Sequence, residues 1–163
     1  MTMPTTPSKS PPITMATSTH RADTPTPVSE HVLDKRSVTK LDNAVQDAVE
    51  LNRESFRASF NARPSYQTDE TGKRKTMAIL DTDSSPWDAG TYQLTVYCMG
   101  SGTLNASFSI GEQYEDCTVS CTDDIAQETL TIRTEGASEG QVSIVPSEDS
   151  VSEIAYWINH PNN

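Results

Sequence analysis

The sequence predicts a mainly β protein: an antiparallel β-sandwich, jelly-roll or immunoglobulin-like, preceded by one N-terminal α-helix and a disordered N-terminal arm. Three observations carry that expectation. Apolar and polar residues alternate through Tyr92, Gln93, Leu94, Thr95, Val96, Tyr97 and Cys98, and again from Leu104 to Ile110, with Gly100 and Gly102 between. A period of two on both sides of a glycine turn marks adjacent antiparallel strands. From residue 76 onward, turn signals separate short strand-like runs at intervals of about 8 to 12 residues, the punctuation of a sandwich or barrel. The first 28 residues, by contrast, are rich in Thr and Ser, hold Pro4, Pro7, Pro11, Pro12, Pro25 and Pro27, and have no apolar period, which is the composition of a disordered or extended arm.

The chain therefore divides into an arm (1–28), a helical segment (29–54) and a β-sandwich domain (55–163). In the helical segment Leu41, Ala44, Val45, Ala48, Val49 and Asn52 fall on one face, with Asp47, Glu50, Arg53 and Glu54 opposite. Thr39 stands where an N-cap would, with Asp42 at the capping-box position. The helix stops near Arg53 or Glu54 if residues 55–60, which alternate, form a strand with Phe56, Ala58 and Phe60 inward; that strand is favoured over a longer helix, and Pro64 ends either version. The polar stretch 66–75, with Thr71-Gly72 and the triplet Lys73, Arg74, Lys75, reads as an exposed hairpin tip.

Seven further strands are expected at 77–80, 92–98, 104–110, 117–121, 129–133, 142–145 and 154–158. Their inward positions are Tyr92, Leu94, Val96, Cys98, Leu104, Ala106, Phe108, Ile110, Val119, Leu130, Ile132, Val142 and Ile144. The alternate positions Gln93, Thr95, Asn105, Ser107, Ser109, Thr118 and Ser120 are polar, so one sheet face is expected to be wet.

Charge narrows the partners. The net charge is -11 over 163 residues, yet residues 76–163 hold one basic residue, Arg133, against 14 acidic ones. A field of that sign repels phosphate backbones and anionic lipid surfaces, which argues against nucleic acid as a partner. No apolar run is long enough to span a membrane. The start shows neither a basic and apolar leader pattern nor a lipobox-type cysteine, the first cysteine being Cys98; a start placed downstream of a real leader would look the same.

Three cysteines leave at least one unpaired within the chain. A Cys98–Cys121 bridge would tie two strands and stabilise the fold by roughly 3 kcal/mol; Cys98–Cys117 is the competing choice. Without C-x-x-C spacing or a nearby histidine they do not form a zinc site. His20, His31 and His160 sit in no catalytic motif, and no enzyme activity or cofactor is expected. Asp81, Asp83 and Asp88 are calcium candidates, set against solvated turn residues as the ordinary reading, because the glycine and terminal glutamate of an EF-hand loop are missing. Trp87, Tyr97, Tyr114 and Trp157 are candidates for an exposed sugar-stacking surface, set against burial in the core.

The strand and turn Gly90 to Gly102 (G-T-Y-x-L-x-V-Y-C-x-G-x-G), the run A-S-F-S-I-G at Ala106 to Gly111, V-x-C-T at Val119 to Thr122 and I-A-Y-W-I at Ile154 to Ile158 together resemble a known group. This is the C-terminal β-rich half of small actinobacterial cell-envelope proteins, often lipoproteins, of uncharacterised function. The resemblance implies an extracytoplasmic domain with Cys98 and Cys121 bridged, and it carries no catalytic residues; Cys117 is extra to its pattern. The expected role is thus a non-enzymatic envelope-associated or secreted binding or structural module, with a glycan or another envelope protein as its partner. Two alternatives stand beside it: a carbohydrate-binding sandwich, and a virion or surface-assembly protein whose N-terminal arm wraps a neighbour.

Overall fold

A computed structural model describes residues 35–161. The expected arm, 1–28, and the start of the helical segment lie outside the described residues. Helix α1 (Lys35–Leu51) leads into strands β1 (Phe56–Pro64), β2 (Tyr66–Thr68), β3 (Arg74–Thr76), β4 (Ile79–Asp83), β5 (Gly90–Ser101), β6 (Thr103–Ile110), β7 (Gln113–Ser120), β8 (Ala126–Thr134), β9 (Gly140–Pro146) and β10 (Val151–Asn159).

Two four-stranded antiparallel sheets form the sandwich, in the orders β1-β10-β5-β8 and β4-β9-β6-β7; β2 and β3 make a separate small hairpin. The pairings nest: β6 with β7, β5 with β8, β4 with β9, and β1 with β10. One long folded hairpin has been rolled up, and the pairs β10·β5 and β6·β9 close the roll. That is the jelly-roll arrangement. In an immunoglobulin sandwich the first strand lies beside the second, whereas here β1 lies beside β10.

Between the sheets lies the core that alternation predicted. All thirteen inward residues expected from the sequence are buried, joined by Ile79, Trp87, Ile154, Tyr156 and Ile158. Each fully enclosed aliphatic or aromatic side chain contributes about 1.5 to 3 kcal/mol relative to exposure. Where β5 turns into β6, Gly100 and Gly102 have φ near +127° and +91°, and a Cβ on either would strike the backbone of Val151, Ser152 or Ser150. Only glycine serves at both points.

A second, smaller core lies on the opposite side of the first sheet. Leu41 and Val45 of α1 pack onto Tyr97, Met99, Ala155 and Trp157, with Ala44, Ala48 and Val49 partly covered. Strand β10 is covered on both faces as a result, and its eight residues from Ser152 to Asn159 are buried.

Several expectations need correction. Thr39 does not cap the helix, because α1 already runs from Lys35; Asp42 instead accepts a hydrogen bond from the Ala62 backbone N–H at 2.7 Å, in the irregular part of β1. Phe56 is not an inward residue. A register shift between Phe56 and Ala58 turns it to the other side, where it stays 39% exposed, while Ala58 and Phe60 pack on the core. The second sheet's outer face is wet throughout its strands, whereas on the first sheet only the edge strand β8 is, with Thr129, Thr131 and Arg133 exposed. Thr95 is buried and shares a hydrogen bond with Thr129, on the face of the first sheet that carries the helix. Finally, the strand expected at 77–80 is displaced to Ile79–Asp83.

Candidate functional site

The exposed polar alternation of β6 and β7 acquires partners once the second sheet is assembled. Because side chains alternate across a sheet, its outer face takes Leu80 and Thr82 from β4, Gln141, Ser143 and Val145 from β9, Thr103, Asn105, Ser107 and Ser109 from β6, and Tyr114, Asp116, Thr118 and Ser120 from β7. Register aligns them in rows. Thr82, Gln141, Ser109 and Tyr114 form one row, and Leu80, Ser143, Ser107 and Asp116 the next. Val145, Asn105 and Thr118 make a third.

Two cross-strand bonds organise this face. Gln141 Nε2 donates to Thr82 Oγ1 at 3.1 Å, and Thr118 Oγ1 donates to Asn105 Oδ1 at 3.0 Å. They leave the Gln141 Oε1 acceptor and the Asn105 Nδ2 donor for an external partner. Asp116 is the one charged residue among those described on this face, within a domain otherwise dominated by carboxylates. Leu80, Tyr114 and Val145, at 64%, 60% and 46% exposed, all stand on it.

The face meets a cleft of about 420 Å³ where β4 and β1 form the open edge of the sandwich. Ala58, Phe60, Val142 and Ile158 supply its apolar wall, and Asp81, Asp83, Ser84 and Gln141 its polar rim. The charges there are already matched. Tyr156 donates its hydroxyl to Asp81 Oδ2 at 2.6 Å, and Arg63 lies 3.9 Å from the same oxygen with its guanidinium over Phe60. Arg57 donates to Asp83 at 2.8 Å and to Ser85 at 2.9 Å, and stacks 3.5 Å over the Trp87 ring. Burial, then the bond to Asp81 and that carboxylate's charge, push the Tyr156 hydroxyl well above the usual tyrosine range. Burial raises Asp83 as well, but hydrogen bonds from Ser85 and Arg57 outweigh it and hold the carboxyl below its ordinary value.

The three calcium candidates are not brought together on one site. Asp81 and Asp83 point from one side of β4 and are engaged by Tyr156, Arg63, Arg57 and Ser85, while Asp88 is exposed on the following loop. Among the described residues no cluster of three metal-type ligands forms.

The expected aromatic surface is likewise not assembled. Trp87 is buried in the main core, edge-on to Tyr92 and Phe108, and rests on Gly140, where any Cβ would come 2.4 Å from its ring. Tyr97 and Trp157 are sealed beneath α1, with the indole N–H donating to the Tyr97 hydroxyl at 3.1 Å. Only Tyr114 of the four is exposed. For Tyr97 and Trp157 the reason is that the helix covers one face of β5 and β10, which a local strand pattern does not show.

Cys98 and Cys121 form the disulfide, with Cα atoms 5.2 Å apart, and join the end of the central strand β5 to the segment after β7. The competing Cys98–Cys117 pairing is excluded by that bond. Cys117 stays a free, half-buried thiol whose pKa is raised by burial and by Glu128 and Asp116. His160 stacks on Tyr92 with ring centroids 4.0 Å apart, and His20 and His31 lie outside the described residues.

No protein-family model matches the chain, and no curated protein matches it.

Proposed function

We propose that this chain is a non-enzymatic, extracytoplasmic binding or structural module, envelope-associated or secreted, whose contact surface is the outer face of the β4-β9-β6-β7 sheet. The observation that carries the reading is that face: thirteen aligned outward positions with one charge, on a domain whose acids otherwise crowd its turns and edges. Leu80, Tyr114 and Val145, exposed among hydrogen-bonded amides and hydroxyls, give this face the mixed apolar and polar character of a contact surface.

The compartment is supported by the Cys98–Cys121 disulfide, since such bonds persist in oxidising surroundings, and by the resemblance of residues 90–158 to actinobacterial envelope proteins. No helix among the described residues is long and apolar enough to cross a membrane. The non-enzymatic part is supported by the state of the nucleophile candidates. Burial and two carboxylates raise Cys117, opposite to what thiolate chemistry requires. The buried Ser150 hydroxyl bonds to Ser65 and Ser152 rather than to a base.

Co-sedimentation tests this reading. Purified full chain is mixed with insoluble envelope material from its source cells and compared with a Ser109→Glu/Ser143→Glu variant. The wild type should pellet with the envelope and the variant should stay in solution; equal behaviour of the two would remove the face as the contact surface.

A second reading, a surface-assembly or virion protein, is favoured by the nested strand pairing, which capsid domains share with lectins. Fold alone does not choose between such roles. Light scattering of the full chain decides: a monomer at every concentration counts against assembly.

A further inference from the structure

We infer that the outer face of the β4-β9-β6-β7 sheet takes a neutral polysaccharide, laid across the Ser, Thr, Asn and Gln rows with one sugar ring stacked on Tyr114. The inference rests on the reading of this face as the contact surface and adds the chemistry of its occupant.

Charge selects first. The β-sandwich domain, 55–163, holds six basic against sixteen acidic residues, a net charge of -10, so an anionic polymer or a second copy of the same domain approaches against repulsion. A cation finds only Asp116 on the face to answer it. An uncharged partner meets neither penalty.

Hydrogen-bonding character selects next. Hydroxyls and carboxamides each donate and accept, which matches a polyol, whose every hydroxyl does the same. The bonds from Gln141 to Thr82 and from Thr118 to Asn105 hold these side chains in place before anything binds, so less ordering is required on contact. Tyr114, paired across from Ser109 and 60% exposed, offers an aromatic ring beside those rows, and Leu80 and Val145 offer apolar contact for C–H faces.

Size favours a polymer over a single sugar. Four strands span about 14 Å and eight-residue strands run about 25 Å, room for several sugar units in a shallow, multi-point contact. The affinity should come from the number of units engaged rather than from any one of them.

The test is retention of the full chain on microcrystalline cellulose, chitin and starch granules, with insoluble polygalacturonate as an anionic control. Binding to at least one neutral polysaccharide is expected, unaffected by about 0.5 M salt because no ion pairs are involved, and polygalacturonate should retain nothing. Tyr114→Ala should weaken retention about threefold to tenfold, and Ser109→Glu/Ser143→Glu should abolish it. Thr131→Glu, exposed on the other sheet, should change nothing, and unaltered near-ultraviolet circular dichroism checks the fold of each variant.

No retention on any neutral polysaccharide, or retention indifferent to the face variants, overturns the inference. So does a face-dependent dimer in equilibrium sedimentation, which would make a second copy the occupant. If envelope material still pellets the wild type and not the double variant while all three polysaccharides fail, the contact surface stands and its ligand class is wrong. If the double variant also pellets, the reading beneath it has failed.

Discussion

Reducing the Cys98–Cys121 bridge should destabilise the domain without any change in its sequence. The bond joins residues separated by 23 positions in the chain, and the loop-closure entropy it removes from the unfolded state corresponds to about 3 kcal/mol at 25 °C. Cys98 is fully enclosed in the core, so reduction in place avoids the cavity that truncating it would leave. A domain of this size loses roughly 3 to 4 °C of melting temperature per kcal/mol, which predicts a fall of about 10 °C. The measurement is thermal unfolding by circular dichroism of a Cys117→Ala protein, oxidised and then reduced. The Cys117→Ala background prevents thiol exchange, and thiol titration verifies each state. A fall of less than about 3 °C, with both thiols shown to be free, would refute the argument that the bridge acts chiefly by restraining the unfolded chain.

Other consequences follow from particular contacts. Gly140→Ala places a methyl group against the Trp87 ring and should cost about 1 to 3 kcal/mol by overpacking, read as a lower urea midpoint. Asp83 has a folded pKa below its ordinary value of 3.8, so its contribution is present above that value and lost as pH falls through the lower, folded one. Because the carboxylate is 41% exposed, the effect should be well under about 1 kcal/mol, and Arg57→Gln should reduce the acid sensitivity measured below pH 4. Cys117, raised by burial and then by Glu128 and Asp116, should react with iodoacetamide at pH 8 measurably more slowly in the folded than in the unfolded protein. Glu128→Gln should recover part of that rate.

Much of this fold could be read from the chain because its strands obey one rule. Alternation from Tyr92 to Cys98 and from Leu104 to Ile110 named the inner face of the main core, since a one-residue slip would have turned those side chains outward. Phe56 escaped the rule at a bulge, which a local pattern does not reveal. Tyr97 and Trp157 were candidates for an exposed surface set against burial, and the helix that buries them is placed by tertiary packing.

The candidate face was half legible. Asn105, Ser107, Ser109, Thr118 and Ser120 stood out as polar alternates, yet their union with Leu80, Gln141, Ser143 and Val145 depends on β4, β9, β6 and β7 sharing a sheet. That pairing joins residues far apart in sequence, and the signal that could have found it is the nested order of a rolled hairpin.

The central claim, that the second sheet's outer face is what this protein uses to bind, is tested most directly by transferred cross-saturation NMR of the labelled chain mixed with insoluble envelope material. The amide signals of Asn105, Ser107, Ser109, Gln141 and Ser143 should lose intensity selectively, because saturation passes only to protons at the contact. Losses concentrated in α1 or in the β2–β3 hairpin, with those five signals unchanged, would contradict it.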